Sequence, residues 1–267
     1  MTAVLTPSVA PSGGRRAAFE YWLSVYRRTW RGSVVTSIVS PVLFLAAMGV
    51  GLGSLVHGGT GRVDGLRYAV FLAPGLLAAT VMQTGMGEAT WPVMGAIKWD
   101  RTYLGMLATP LTVSDVLLGH LAFMALRIVI VATSFTVISA LFGLVVSAGG
   151  AVLALLAAVL TGVAFAAPIA AFSATQARET GFILLYRFGL IPMFLFSGTF
   201  FPVSQLPAVL QPVAWVTPLW HGVTLCRDLA LSRGTAAAML GHAAYLVVLT
   251  VVGVVLAQRA YRRRLQW

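Results

Sequence analysis

Charge is what this sequence has least of. Only 9% of its 267 residues are charged, while 59% are hydrophobic. Soluble domains carry about 25% charged residues, so a water-soluble globule is excluded. The gaps between charges are long: 30 residues from Arg31 to Arg62, 20 from Arg67 to Glu88 and 50 from Arg127 to Arg178. A further 39 separate Arg187 from Arg227, and 25 separate Arg233 from Arg259. A spanning helix needs about 20 apolar residues. The longest run holds two spans, because the Gly-rich FGLVVSAGGA (142–151) breaks it.

Other absences narrow the chemistry. The single cysteine, Cys226, excludes an intrachain disulfide and a multi-cysteine metal site. The single lysine, Lys98, lies between isoleucine and tryptophan, and no G-x-x-x-x-G-K-[ST] phosphate loop exists. The chain cannot bind ATP by that route. H-E-x-x-H and dense carboxylate clusters are also missing, so no catalytic residue, metal or cofactor is expected on this chain. No soluble basic domain carries the net charge of +11, which argues against nucleic acid. That charge reads instead as a topology signal plus attraction to anionic membrane lipid. The first apolar run begins near residue 34 after a charged leader and is too long for a signal-peptide core, so no cleavable signal is expected.

The pattern predicts an all-α membrane protein with six transmembrane helices, near 34–56, 68–90, 116–142, 151–173, 181–199 and 238–258. Residues 1–32 form a cytoplasmic leader and 33–267 one membrane domain. Lys and Arg set the orientation. With the N-terminus inside, twelve fall inside (Arg15, Arg16, Arg27, Arg28, Arg31, Lys98, Arg101, Arg178, Arg259, Arg262, Arg263 and Arg264) and four outside (Arg62, Arg67, Arg227 and Arg233). Both termini are therefore expected in the cytoplasm of a multi-pass inner-membrane protein.

In the leader, Phe19, Trp22, Leu23, Tyr26 and Trp30 share one helical face, with Arg16, Glu20, Ser24, Arg27 and Arg31 opposite. Such a helix suits the membrane interface, either as a topology anchor or as a gate or docking helix. Between the second and third spans, a segment of about 25 residues exceeds the usual 2–8 of bundle connections. It carries Glu88, Trp91, Lys98, Trp99, Asp100, Arg101, Tyr103, Met106 and Leu107. A helix over KWDRTYLGML, stopped by Pro110, would present charged and aromatic groups to a partner. Thr112 and Asp115 have capping-box spacing at the start of the third span.

Arg127 falls inside a span. An intramembrane charge is either a functional group or half of a buried ion pair. Arg187 is close enough to an end to snorkel. Gly49 with Gly53, and Gly85 with Ala89, offer small-residue contacts, and Pro74, Pro168 and Pro192 are candidate kinks. The segment from Phe196 to Gly222 holds Pro202, Pro207, Pro212 and Pro218. It is too short to cross and return, so short re-entrant helices at the outer side are expected before the last span, with Trp215 and Trp220 at headgroup level.

Two segments carry a family resemblance: KWDRTYLGMLATPLTVSDVLLG (98–119) and FLFSGTFFPVSQLPAVLQPVAWVTPLWHGVTLCRDL (194–229). With the overall plan, they resemble the membrane subunit of type-2 ABC transporters, particularly bacterial drug-exporter and nodulation-exporter permeases. The resemblance implies an exporter half. Two copies, or one copy and a paralogue, would form the pathway, and two copies of a separate ATPase subunit would supply energy, holding ATP and Mg themselves. It implies ATPase coupling through Glu88, Trp91, Lys98, Trp99, Asp100, Arg101, Tyr103, Pro110 and Leu111. Glu20, Trp22, Tyr26, Arg27 and Trp30 would form an interfacial gate helix, and Phe200, Phe201, Pro202 and Trp215 an outer gate. The resemblance also implies an acidic residue in many relatives at the place of His120. The apolar, aromatic-rich spans suit an amphipathic cargo: a drug, a glycolipid, a lipo-oligosaccharide or a polysaccharide. The alternatives are an ion-coupled secondary transporter, for which the spans offer little ionisable chemistry, and an intramembrane hydrolase built on Ser197 with His221 or His242.

Overall fold

The computed structural model of the protein describes residues 11–47, 62–63 and 65–265. Helices account for nearly all of it: α1 (Pro11–Phe44), α2 (Tyr68–Ala89), α3 (Trp91–Lys98), α4 (Thr102–Leu107), α5 (Val113–Leu141) and α6 (Ala148–Thr175). Then follow α7 (Thr180–Leu184), a widened π turn (Leu185–Leu190), α8 (Ile191–Phe196), a 3-10 turn (Val203–Gln205), α9 (Gln211–Val216), α10 (Pro218–Leu231) and α11 (Ala236–Leu265). A two-stranded hairpin, β1 (Arg62–Val63) and β2 (Leu66–Arg67), precedes α2 and turns at Gly65 with φ of 77°. The hairpin is too short to leave a periodic signal in the sequence.

Among the described residues, four helical stretches are long and apolar enough to cross a membrane: Tyr68–Lys98, Val113–Leu141, Ala148–Thr175 and Ala236–Leu265. They coincide with the second, third, fourth and sixth expected spans. The first expected span is described only to residue 47 and continues outside the described residues. The fifth is an apolar stretch, Thr180–Phe196, shorter than a full crossing. Its helix widens to a π turn just before Pro192, whose missing N–H cannot continue the regular ladder.

The leader and the residues after it form one helix, continuous to Phe44. It also runs beside α5 rather than across it. A Cβ on Gly14 would lie 2.8 Å from the Asp115 carboxylate, one on Gly119 would lie 2.8 Å from the Arg15 carbonyl, and the Arg127 guanidinium sits 4.6 Å from the Tyr26 ring centre. Partner numbers therefore rise together along both helices, over about 18 Å at 1.5 Å per residue. Only roughly parallel neighbours do this. What lets the leader lie against α5 is glycine. Gly119 removes the side chain that would hold α1 away, letting Ala18 seat on α5 backbone.

Gly85 plays the same part between α2 and α6, where it meets the Gly162 carbonyl, and Gly162 in turn abuts Ile128 of α5. Gly253 of α11 abuts Pro168 of α6. Pro74 and Pro168 both lie inside continuous helices. The core between these contacts is aliphatic and sulfur-rich, with Leu72, Met82, Met124, Ile128, Phe135 and Leu246 fully buried. Gly49 and Gly53 lie outside the described residues.

Gly119→Val should therefore release the leader without dissolving the bundle. Overpacking of this kind costs about 1–3 kcal/mol. Limited trypsinolysis at the exposed Arg27 and Arg28 should accelerate several-fold, while cleavage elsewhere and the helical content stay unchanged.

Candidate functional site

One end of the bundle gathers the end of α2, all of α3 and α4, the start of α5 and the ends of α6 and α11. The Thr112 side chain accepts from the Asp115 amide at 3.2 Å, and the Asp115 carboxylate accepts from the Thr112 amide at 3.1 Å. The capping box is thus built, and it fixes where α5 begins. Pro110 precedes it, exposed, with Leu111 half-buried.

His120 organises this end. It is 1% exposed. Its Nδ1 lies 2.5 Å from the Tyr103 hydroxyl, which is 3.2 Å from the Tyr261 hydroxyl. The Trp22 ring stacks on the imidazole at 3.9 Å and 7°. Four elements (α1, α4, α5 and α11) meet in one buried cluster. Burial holds the Tyr103 hydroxyl well above its ordinary pKa, so it remains a neutral donor toward His120. The acid expected here in relatives would place a buried charge beside two phenols, whereas neutral imidazole accepts from one at no such cost.

The long connection is not one helix. α3 ends at Lys98, Arg101 adopts a left-handed conformation with φ of 51°, and α4 restarts at Thr102. Trp99 folds back toward Gly95, 3.3 Å from where a Cβ would stand. The break splits the predicted coupling residues into two sets. Lys98, Trp99, Asp100 and Arg101 face outward, joined by Leu104, and Trp99 is 54% exposed. Tyr103 points inward and is fully buried, so it is a strut rather than a surface contact. Lys98 Nζ also donates to the Ala177 carbonyl at 2.5 Å, tying the ridge to the chain leaving α6. Trp91 packs edge-on against Phe182 at 5.3 Å and beside Tyr186 at 5.4 Å.

Glu88 turns inward as well. Its carboxylate accepts from Arg127 Nε at 2.9 Å, with side-chain exposures of 21% and 10%. Arg127 is therefore half of an ion pair inside the bundle, and Tyr26 covers its guanidinium. Among the described residues, Arg127 Nη1 has no hydrogen-bond partner. In the leader, Trp22 and Tyr26 are both committed to α5. Glu20 pairs with Arg16 at 2.7 Å on the exposed side, where Arg27 and Trp30 also lie.

At the opposite end, the proline-rich stretch is broken as expected. Pro202 precedes the 3-10 turn, Pro212 opens α9 and Pro218 opens α10, positions that need no helical N–H. α10 re-enters the bundle deeply. Gly222 sits against Thr161, Cys226 Sγ approaches the Ala154 carbonyl at 3.6 Å, and Gly150 abuts the Leu229 carbonyl. Thr161 is thirteen residues into α6, or about 20 Å from its start. Phe200 packs edge-on with Phe194 at 5.0 Å, and its carbonyl accepts from the Tyr68 hydroxyl at 3.1 Å. Phe201 and Pro202 are half-buried, and Trp215 is exposed.

Arg227, which sequence reasoning counted only as an outer-loop charge, is the organiser of this end. Its Nη2 donates to the Gly198 carbonyl at 2.9 Å, its Nε donates to the Phe71 carbonyl at 3.3 Å, and its guanidinium covers the Phe71 ring at 3.9 Å. An arginine amid HGVTLCRDLAL was the available signal. Tyr261, an aromatic residue between arginines in RAYRRRL, was the other residue missed.

The Ser–His pair of a hydrolase is not built. Ser197 Oγ bonds the Thr217 hydroxyl at 3.0 Å, and His221 Nδ1 lies 2.8 Å from His242 Nδ1. Among the described residues, no group of three His, Cys, Asp or Glu side chains stands close enough to hold a metal ion.

The Glu88–Arg127 pair yields a double-mutant test. Arg127→Met strands the Glu88 carboxylate and should cost about 3–5 kcal/mol, the usual result of breaking a buried pair. Glu88→Leu combined with Arg127→Met should recover most of it. Unfolding midpoints in detergent check this. An additive double mutant would show that the two side chains do not interact.

Comparison with known sequences agrees with this architecture over nearly the whole chain. The pattern of the ABC-2 type transporter family matches residues 19–231. Nodulation protein J of Rhizobium leguminosarum bv. viciae is 32% identical over 262 residues, covering 96% of this chain and 97% of its own length. Nodulation protein J of Sinorhizobium fredii (strain NBRC 101917 / NGR234) is 33% identical over 251 residues, covering 91% and 94%. The protein of the same name from Rhizobium meliloti (strain 1021) is 31% identical over 252 residues, with the same coverage. The matched region holds the ridge, the His120 cluster apart from Tyr261, and the re-entrant α10, so this multi-pass chain belongs to the ABC-2 type transporter family, as a type-2 permease.

Proposed function

We propose that this chain is the membrane half of an ATP-driven exporter, moved by a separate ATPase that docks on the ridge formed by Lys98, Trp99, Asp100, Arg101 and Leu104. The observation that carries the proposal is the two-sidedness of this segment. Its outward face is charged and aromatic, while the same segment is wired into the bundle at three places. Tyr103 bonds His120 of α5 and Tyr261 of α11, Lys98 holds the end of α6, and Trp91 holds Phe182 of α7. A push on the ridge therefore reaches four helices at once.

In this reading, two ATPase copies bind ATP and Mg, and a second permease copy or a paralogue completes the pathway. The ridge end of the bundle is cytoplasmic. The leader and the end of α11 both lie there, which supports cytoplasmic termini and an inner-membrane location. Phe200, Phe201, Pro202 and Trp215 close the opposite mouth. The cargo is amphipathic: a drug, a lipid-linked molecule or a glycan.

Arg101→Glu tests the docking surface. The residue is exposed, and both Arg and Glu carry a Cβ at this left-handed position, so mainly the charge changes. The variant should insert and fold normally, yet lose at least tenfold in cargo-stimulated ATP hydrolysis when co-expressed with the cognate ATPase. Normal stimulation and export in the variant would remove the ridge from the coupling path. ATP hydrolysis by the purified chain alone would overturn the division of labour.

A further inference from the structure

The ends of α6 and α11 diverge on the ridge side of the bundle. They touch where Gly253 meets Pro168, close enough that a Cβ on Gly253 would lie 2.6 Å from the proline ring. Beyond that point a groove of about 530 Å³ opens between them. Pro168, Ala171, Phe172 and Leu256 form its apolar part, and Arg259, Arg263 and Arg264 line it on the α11 side.

The chemistry of the groove is one-sided. No acid lines it. Arg259 and Arg263 are one helical turn apart and share a face, and all three arginines are exposed. Among the described residues, none of the three has a carboxylate or carbonyl partner. By contrast, Arg15, Arg16, Arg127 and Arg227 are each engaged. Tyr261, on the opposite face of the same helix stretch, is fully buried in the His120 cluster. The arginine face is therefore fixed in direction by the core, not left to swing.

We propose that this groove holds one anionic phospholipid, its phosphodiester on Arg259 and Arg263 and an acyl chain along Leu256, Phe172 and Pro168. An apolar slot continuous with a basic rim at the end of a spanning helix matches a lipid, which carries both parts covalently joined. A free anion would use only the rim, and an acidic protein surface would not fill the slot. The bound lipid would brace the ends of α6 and α11, the helices that Lys98 and Tyr103 tie to the ridge.

The test uses the full chain in phosphatidylcholine vesicles, with spin-labelled phosphatidylglycerol or spin-labelled phosphatidylcholine as the probe. Electron spin resonance reads the motionally restricted fraction. The native chain should retain the anionic probe preferentially. Arg263→Gln should lower that preference about fivefold, the effect of one arginine near a charged headgroup. Arg262→Gln removes the same charge one residue away, outside the groove, and should leave the preference intact. Leu256→Trp fills the slot without touching charge and should also abolish it. Both positions are exposed, so folding is not at stake. Equal losses from Arg262→Gln and Arg263→Gln would reduce the effect to diffuse attraction and overturn the site. Competition by inorganic phosphate, with Leu256→Trp silent, would make it a simple anion site and overturn the lipid. No restricted probe in the native chain would mean that another surface, such as a second copy, covers the groove, and would overturn the proposal outright.

Discussion

The hydrogen bond between Tyr103 and His120 is the contact on which the ridge end of this protein depends. It joins a six-residue helix, too short to be stable alone, to the first turns of a spanning helix. Tyr261 extends the bond to the last helix, and Trp22 seals it from water by lying flat on the imidazole. A buried polar pair of this sort is costly when broken and modest when made. It therefore acts more as a constraint on geometry than as a source of stability. Besides that bond, α4 rests on the bundle through the Tyr103 ring, Met106 and Leu107.

That constraint explains why the connection is two helices and not one. A single helix over Lys98 to Leu107 would distribute its charged and aromatic residues around the whole circumference. The left-handed turn at Arg101 reorients the second half, so Tyr103 and Met106 face the core while Lys98, Trp99, Asp100 and Arg101 remain outside. A non-glycine residue at positive φ is uncommon and costs about 1 kcal/mol or more. The surrounding contacts from Lys98 to Ala177 and from Tyr103 to His120 hold it in place from both sides.

Much of the fold was legible because membrane helices write themselves as long apolar runs. The four long spans, the capping box at Thr112 and the proline-broken outer segment all follow from hydropathy and local backbone chemistry. What was not legible depends on which residue meets which. The aromatic face of the leader was visible, but its partner was α5 and not the membrane interface alone. Nothing local to residues 19–30 says that Gly119 has cleared a seat for it. Glu88 looked like a surface acid because it follows a spanning stretch, and only the fold shows Arg127 reaching it. Arg227 looked like a loop charge because it falls between the fifth and sixth expected spans, until Phe71 and Gly198 are seen to converge on it. In each case the sequence displays the group, and its partner lies dozens of residues away.

These long-range pairs give α2 a special place. Near one end, Glu88 is gripped by Arg127 of α5. Near the other, Phe71 is gripped by Arg227 of α10, and Tyr68 holds the Phe200 carbonyl. Between them, Gly85 lets α2 lie directly on α6. A helix held at both ends by charge-assisted or hydrogen-bonded contacts, and pressed against a neighbour in the middle, is a rod and not a hinge. By contrast, the helix before Pro192 leaves the regular α pattern and widens to a π turn. Trp91 bears directly on that region through Phe182 and Tyr186. In the proposed exporter, a push on the ridge would travel along α2 as along a rod and through α7 and α8 as through a jointed path. Arg227 fastens the Gly198 turn at the end of α8 to α2, so the two paths rejoin near Phe200. The broken backbone from Ser197 to Thr217 gives that end of the bundle room to absorb a mismatch between them.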